Sequence, residues 1–323
     1  MAKNDNIQDF VVDIANAIRE KKGTTELINP QNFSDEILSI ASSSGEDMLQ
    51  LLINEKPDCS RLFYKFQGES LEFISKLDMS SVQTLDMAFG SSPNLKKIGY
   101  TDTSNVESMN QMCTYCSSLQ EFPPFITTKV KNMSYLLNYC SSLTKVHELD
   151  LTSCTNASNL CQNCLKLKSI QLKNTNNVTN WSSAFYYSGL TDVGVIDMIS
   201  ATNVSRMFNN CPIEKLTLKN IKLSLVLYSG TNYGNNLTLE SLINTLKELW
   251  DYSSSSSTYT LTIGDTNISK LSDVYVRLID VTDEMIAQDS NIASKMPCEV
   301  CNSTDEGAMP IITYANNKGW TIA

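Results

Sequence analysis

Thr-Ser-Asn-Val-Glu-Ser-Met-Asn-Gln-Met-Cys-Thr-Tyr-Cys-Ser-Ser-Leu, residues 103–119, decides the fold, because it recurs. Taking Val106 as position 0, apolar or cysteine side chains fall at 0, 3, 6, 7 and 10, namely Val106, Met109, Met112, Cys113 and Cys116. Val130, Met133, Leu136, Leu137 and Cys140 repeat the pattern, followed by Cys154, Ala157, Leu160, Cys161 and Cys164. Val178, Trp181, Ala184, Phe185 and Ser188 come next, then Ala201, Val204, Met207, Phe208 and Cys211. Downstream runs a second motif, Leu-x-x-(Ile/Val/Phe/Leu): Leu71/Ile74, Leu95/Ile98, Leu119/Phe122, Leu143/Val146, Leu167/Ile170, Leu190/Val193 and Ile213/Leu216. Its first members are 24, 24, 24, 24, 23 and 23 residues apart.

A fixed period of this size is the signature of a solenoid, in which no single unit covers its own apolar face and neighbours stack to share a core. Apolar spacing near 3.5 residues predicts a short helix in each turn. The alternation of Ile170 with Leu172, and of Leu216 with Leu218, predicts a short strand after it. The expected architecture is an α/β solenoid, a right-handed leucine-rich-repeat-like stack of about seven helix–strand turns over residues 43–225. Because helices pack at about 8–10 Å and strands at about 4.8 Å, the stack should curve with its sheet on the concave side.

The 103–119 segment, with weaker copies such as Thr202-Asn203-Val204, Met207-Phe208 and Cys211, resembles the BspA-like leucine-rich repeat family over roughly residues 58–220. The resemblance implies a recognition scaffold without specifying its ligand. Residues 14–23, leading to Phe33 and Ile37, resemble the N-terminal helical segment of bacteriophage tail and other virion proteins. Residues 239–249, 260–264, 268–271 and 318–321 resemble the region that follows such repeats in phage and gut-bacterial proteins. The stretch 280–306 departs from that pattern and its fold stays open.

Outside the repeats, residues 5–22 read as a helix with Ile7, Phe10, Val11, Ile14 and Ile18 on one face and Gly23 as its stop. Asn29-Pro30 opens a second helix presenting Phe33, Ile37 and Ile40, and Ser42–Gly45 forms a joint. So small a helix pair must dock on something. It is either a cap on the first repeat or an anchor, residues 1–42, in which Phe10, Ile14, Ile18, Phe33 and Ile37 attach the chain to other virion proteins or to copies of itself. Phe63, Tyr64 and Phe66 are expected to begin the upper cap. A C-terminal α/β region, residues 226–323, should close the other end, through a helix carrying Leu239, Leu242, Ile243, Leu246 and Leu249 and a strand over 259–263.

Composition narrows the function. Thirty-five acidic against 25 basic residues give a net charge of −10, which disfavours a nucleic-acid surface. Residues 1–10 carry no secretory pattern and no apolar run approaches membrane-spanning length, so the expectation is synthesis in a host cytoplasm, assembly into a virion and no membrane insertion. The alternative location is a bacterial cell surface.

Three Cys-x-x-Cys pairs, Cys113/Cys116, Cys161/Cys164 and Cys298/Cys301, raise the question of zinc. The first two lie at equivalent repeat positions, where Cys116, Cys140, Cys164 and Cys211 alternate with Ser188, as packing of a small apolar side chain would require. Cys298 and Cys301 lie outside the repeats and keep metal or redox chemistry open. With His147 the only histidine, no phosphate loop and no paired carboxylates, no catalytic, cofactor or metal site is expected. Two candidate binding surfaces remain: a polar strand strip of Lys145, His147, Ser169, Gln171, Lys173, Thr217 and Lys219, and a row of Tyr115, Tyr139 and Tyr187. Each is read either as ordinary solvated surface and core margin or as a contact face for a host-surface glycan or protein. A homo-oligomer is compatible with a fibre, but no heptad run demands one.

Overall fold

The computed structural model describes residues 50, 53–54, 57–226, 237–257 and 259–323. The anchor residues Phe10, Ile14, Ile18, Phe33 and Ile37 lie outside them. What the structure describes is a β-solenoid of about six turns with little helix. One ladder position runs its length through parallel bridges joining Asp58, Thr84, Ser108, Asn132, Asn156, Asn180 and Asn203 in succession.

The segments expected as helices are not helical. In 109–116 the backbone N–H groups divide their work. Those of Met109, Gln111, Cys113 and Tyr115 donate to Asn132, Ser134, Leu136 and Asn138 of the next winding at 2.8–3.0 Å. Those of Met112, Thr114 and Cys116 close tight turns onto the carbonyl three residues back at 3.1–3.2 Å. Every fourth residue is left-handed to make this possible: Gln111 and Tyr115, Tyr135 and Tyr139, Asn159 and Asn163, Ser183 and Tyr187, and Arg206 and Asn210, with φ between 54° and 59°. Positions 0, 3, 6, 7 and 10 still face inward, so Val106, Met109, Met112, Cys113 and Cys116 are fully buried. Because every backbone donor of this run finds an acceptor, windings approach at strand spacing, about 4.8 Å, rather than helix spacing. The argument for curvature, which needed helices on one flank, therefore fails.

Side chains finish the turns. Asn132, Asn156, Asn180 and Asn203 each accept, through Oδ1, the N–H two residues on, at 3.0–3.1 Å. Thr103 and Thr127 donate across to the carbonyls of Ile126 and Asp150 in the next winding, both at 2.9 Å.

The other flank carries short parallel strands. These are β1 (Ser70–Leu71), β2 (Lys97–Ile98), β3 (Glu121–Phe122), β4 (Lys145–Val146), β5 (Leu149–Asp150), β6 (Leu172–Lys173), β7 (Asp192–Asp197) and β8 (Lys215–Lys219). They pair as β1–β2, β3–β4, β5–β6 and β7–β8. Leu119, Leu143 and Leu167 are fully buried members of one core that runs from Ile53 to Trp320. Phe63 and Phe66 belong to the first winding rather than to a cap: Phe63 is buried and stacks on Phe89 of the second winding at 5.9 Å.

At the far end β9 (Leu225–Val226) leaves the stack for a parallel sheet ordered β14–β10–β9, with β10 at Tyr259–Thr262 and β14 at Trp320–Ile322. Helix α1 (Leu239–Lys247) lies against β8 and buries Leu242 and Leu246. It also finishes the sheet's hydrogen bonding: Ser241 Oγ accepts from the N–H of Leu216 at 3.1 Å and Thr245 Oγ1 from that of Leu218 at 3.4 Å. After α2 (Asp265–Ser269), an antiparallel sheet ordered β12–β11–β13 comprises β11 (Tyr275–Leu278), β12 (Cys298–Cys301) and β13 (Met309–Pro310). Between β11 and β12, the stretch left open by sequence holds α3 (Asp283–Gln288) and a 3-10 turn, Ile292–Lys295. Helix α4 (Ile311–Asn317) turns Ile311, Tyr314 and Ala315 inward.

Candidate functional site

The strand flank places Lys145 on β4, Lys173 on β6, Thr217 and Lys219 on β8, and His147, Ser169 and Gln171 beside them. Ser169, Gln171 and Lys219 are exposed and Thr217 is half-buried. Of the remaining three, Lys145 and Lys173 are ion-paired and His147 is hydrogen-bonded. Glu121 Oε1 takes both Lys145 Nζ at 2.7 Å and His147 Nε2 at 2.6 Å, and Lys173 pairs with Glu148 at 2.6 Å. Hydrogen bonds from Lys145 and then His147 hold the Glu121 carboxyl below its ordinary range. The same motif joins Glu69 to Lys96, Glu72 to Lys97 and Asp192 to Lys215. In each case the acid comes from earlier in the chain and the base from later, so charges cancel down the flank. Glu121 and Lys145, 24 residues apart, share one repeat position, and that spacing was the available signal for the pairing.

Within the first part of this ladder the flank hollows into an open groove of about 320 Å³ lined by Glu72, Lys96, Lys97, Ile98, Tyr100, Gln120, Glu121, Pro123 and Pro124. Gly99 shapes it. A Cβ at Gly99 would lie 2.4 Å from the carbonyl oxygen of Glu72, so only glycine lets β2 close against the 3-10 turn Glu72–Lys76. Tyr100 is 48 % exposed, and its ring is backed by Phe125 at 6.5 Å.

On the turn flank, Tyr115, Tyr139 and Tyr187 all occupy left-handed positions, with φ 59°, 59° and 56°. Rings of Tyr115 and Tyr139 stack at 4.9 Å with an interplanar angle of 18°. Asn163 holds the next position of the row, and Tyr187 instead meets Tyr186 edge-on at 5.0 Å. Tyr135, which no sequence pattern singled out, adds another exposed ring from the first left-handed position of the winding that carries Tyr139.

The thiols are interior. Cys113, Cys116, Cys140, Cys161, Cys164 and Cys211 are fully buried. Burial drives the Cys113 and Cys140 thiols well above their ordinary range and pushes Cys211 up to about 12. The repeated position needs more than a small apolar group. Cys116, Cys140 and Cys164 each direct Sγ at a carbonyl of the previous winding, on Phe89, Cys113 and Leu137, at 3.0–3.1 Å, and Ser92 uses its hydroxyl on Phe63 at 3.3 Å. The thiol or hydroxyl adds a donor to a buried carbonyl there, a second one at Phe63, Cys113 and Leu137, which also accept a backbone N–H. Cys298 is buried on β12 and Cys301 half-buried. Among the described residues no three His, Cys, Asp or Glu side chains gather as a metal site would require.

The C-terminal region buries two lysines in opposite surroundings. Lys295 Nζ, its side chain 2 % exposed, reaches Glu248 and Asp289 at 2.5 Å each. Burial works to lower its pKa, but hydrogen bonds to Asp289 and Glu248 outweigh this and raise it. Lys318 is fully buried, with its Nζ donating to Tyr314 Oη at 2.8 Å and lying 3.4 Å from the Lys247 carbonyl. Desolvation lowers its pKa to about 7.

A profile of the family described as "Mycoplasma protein of unknown function, DUF285" matches residues 57–173 and again 125–221, together just over half of the 323 residues. The chain belongs to the DUF285 family. The matched stretch is the solenoid from its first ladder rung to Ile221, where the chain bridges to Leu249, so DUF285 membership describes the repeats and leaves the two ends outside. The family is related to BspA-like repeats, in keeping with the pattern of residues 103–119. No curated protein and no solved structure matches the chain, and the comparisons bring no likeness to phage virion proteins.

Proposed function

We propose that this DUF285 protein is a non-enzymatic binding protein whose rigid solenoid presents side chains to a partner. The Tyr115–Tyr139 stack carries the reading. Two rings, 52 % and 42 % exposed, are held on left-handed backbone whose conformation disfavours so large a side chain. Exposed aromatics on a rigid frame offer contact area at little entropic cost. Residue content supports the non-enzymatic reading, with a single histidine in the whole sequence.

The setting we propose is a bacteriophage virion, as a tail, fibre or head-decoration component attached through residues 1–42 to other virion proteins, facing a host-surface glycan or protein. The resemblance of residues 14–37 to virion proteins supports this placement. DUF285 membership favours a second reading, a BspA-like protein associated with a bacterial cell. Mass spectrometry of purified particles separates them: the virion reading expects this chain among the particle proteins. Deleting residues 1–42 should abolish incorporation while the solenoid stays folded, and normal incorporation would remove the anchor.

A further inference from the structure

We propose that the groove beside Tyr100 is a binding site for a neutral saccharide unit. This rests on the reading of the solenoid as a binding surface and names a ligand class for a part of it that the repeat pattern did not single out.

Three features of the groove select that chemistry. Its walls carry two carboxylates, Glu72 and Glu121, and two ammonium groups, Lys96 and Lys97, with Glu72 and Lys97 3.6 Å apart. The charges balance, so neither an anion nor a cation gains from entering, whereas hydroxyl groups, which donate and accept, find both acceptors and donors. Tyr100 supplies the apolar element. Phe125 behind it fixes the ring, and half of its surface faces solvent, as required to stack on the C–H face of a pyranose. The volume, about 320 Å³, is at the small end of ligand sites, which suits one or two sugar rings better than a peptide segment.

The site is also preorganised. Pro123 and Pro124 form a wall of fixed backbone, and the close approach at Gly99 ties the first winding's Glu72 to the strand bearing Lys97. A ligand here would bridge the first three windings without ordering a loop, which keeps the entropic cost of binding low.

The full-length chain should be applied to an array of immobilised neutral and sialylated oligosaccharides, with affinities then measured by calorimetry for the free neutral sugars retained. The expected result is retention of a subset of neutral glycans. Tyr100→Ala should weaken it about tenfold, Tyr100→Phe should preserve it, and Glu240→Gln, at an exposed position of α1 at the other end of the stack, should leave it unchanged. Thermal melting of each variant establishes that it is folded, and Tyr100 is exposed enough for its truncation to spare the core. Retention of sialylated glycans alone, absence of any neutral glycan, or binding indifferent to Tyr100→Ala would each overturn the assignment. If these negatives came with a host-cell binding loss in Tyr115→Ser/Tyr139→Ser, the groove would fail while the broader reading stood. If neither flank mattered, both would fall.

Discussion

Cys140 shows how much one repeat position is asked to do. It fills the tenth place of its winding, is fully buried and points its thiol at the Cys113 carbonyl 3.1 Å away. Serine, which occupies the same place at 92 and 188, keeps a donor of nearly the same size. Cys140→Ser should therefore fold with a urea midpoint close to that of the parent. Cys140→Ala deletes the second donor to the Cys113 carbonyl, which keeps only the Cys116 N–H, and opens a small void, and should cost about 1–3 kcal/mol. Equal midpoints for Ala and Ser would show that the position selects size alone. Tyr139 makes a parallel case for backbone. At φ 59° it sits where asparagine stands at 163 and 210, so Tyr139→Asn should be nearly neutral. Tyr139→Val places a β-branched side chain in left-handed space and should cost roughly 1–2 kcal/mol.

At the scale of elements, the C-terminal cap of α4, Lys318, responds to pH. Lys318, with a folded pKa near 7 and a free value near 10.4, binds a proton more readily in the unfolded chain between those limits. The cost of protonating it buried is present in full below pH 7 and fades as pH rises to 10, so its contribution to stability increases across that window. Cys298, Asp251, Glu248 and Lys295 surround it, and none of them forms an ion pair with its Nζ. Lys318→Met should flatten the rise in melting temperature between pH 7 and 10 and raise stability at pH 6; an unchanged pH profile would place the ionisation elsewhere. The sequence exposed the repeat register and the inward residues at positions 0, 3, 6, 7 and 10 from Val106 to Cys211, because their burial follows from spacing alone, but not the buried Phe125, Leu149, Leu151, Ile196 and Met198, which fall outside that pattern. It did not expose the conformation. Apolar groups every three or four residues mark an α-helix, but a run of tight turns with a left-handed residue in every four spaces them identically. Asn159, Asn163, Ser183 and Asn210 were the available clue, since such residues tolerate positive φ and are poor helix formers. The groove was illegible for another reason: Glu72, Tyr100 and Glu121 meet only once windings are stacked, and no local pattern brings them together.

For the whole molecule, a stack of windings makes each interface dependent on the next, and its last winding depends on the C-terminal region. Without α1, the N–H groups of Leu216 and Leu218 lose the Ser241 and Thr245 oxygens that receive them. The buried side chains of Leu216 and Leu218 lose the helix that packs against their strand. The result is an apolar parallel edge of the kind that recruits further strands. A chain ending at residue 225 should therefore self-associate, eluting as high-mass species in size-exclusion chromatography. Adding charge at the edge through Leu218→Lys should restore solubility without restoring the native melting temperature. A monomeric truncated chain that melts with the parent would mean that the windings terminate themselves and that α1 is attached to the stack without closing it.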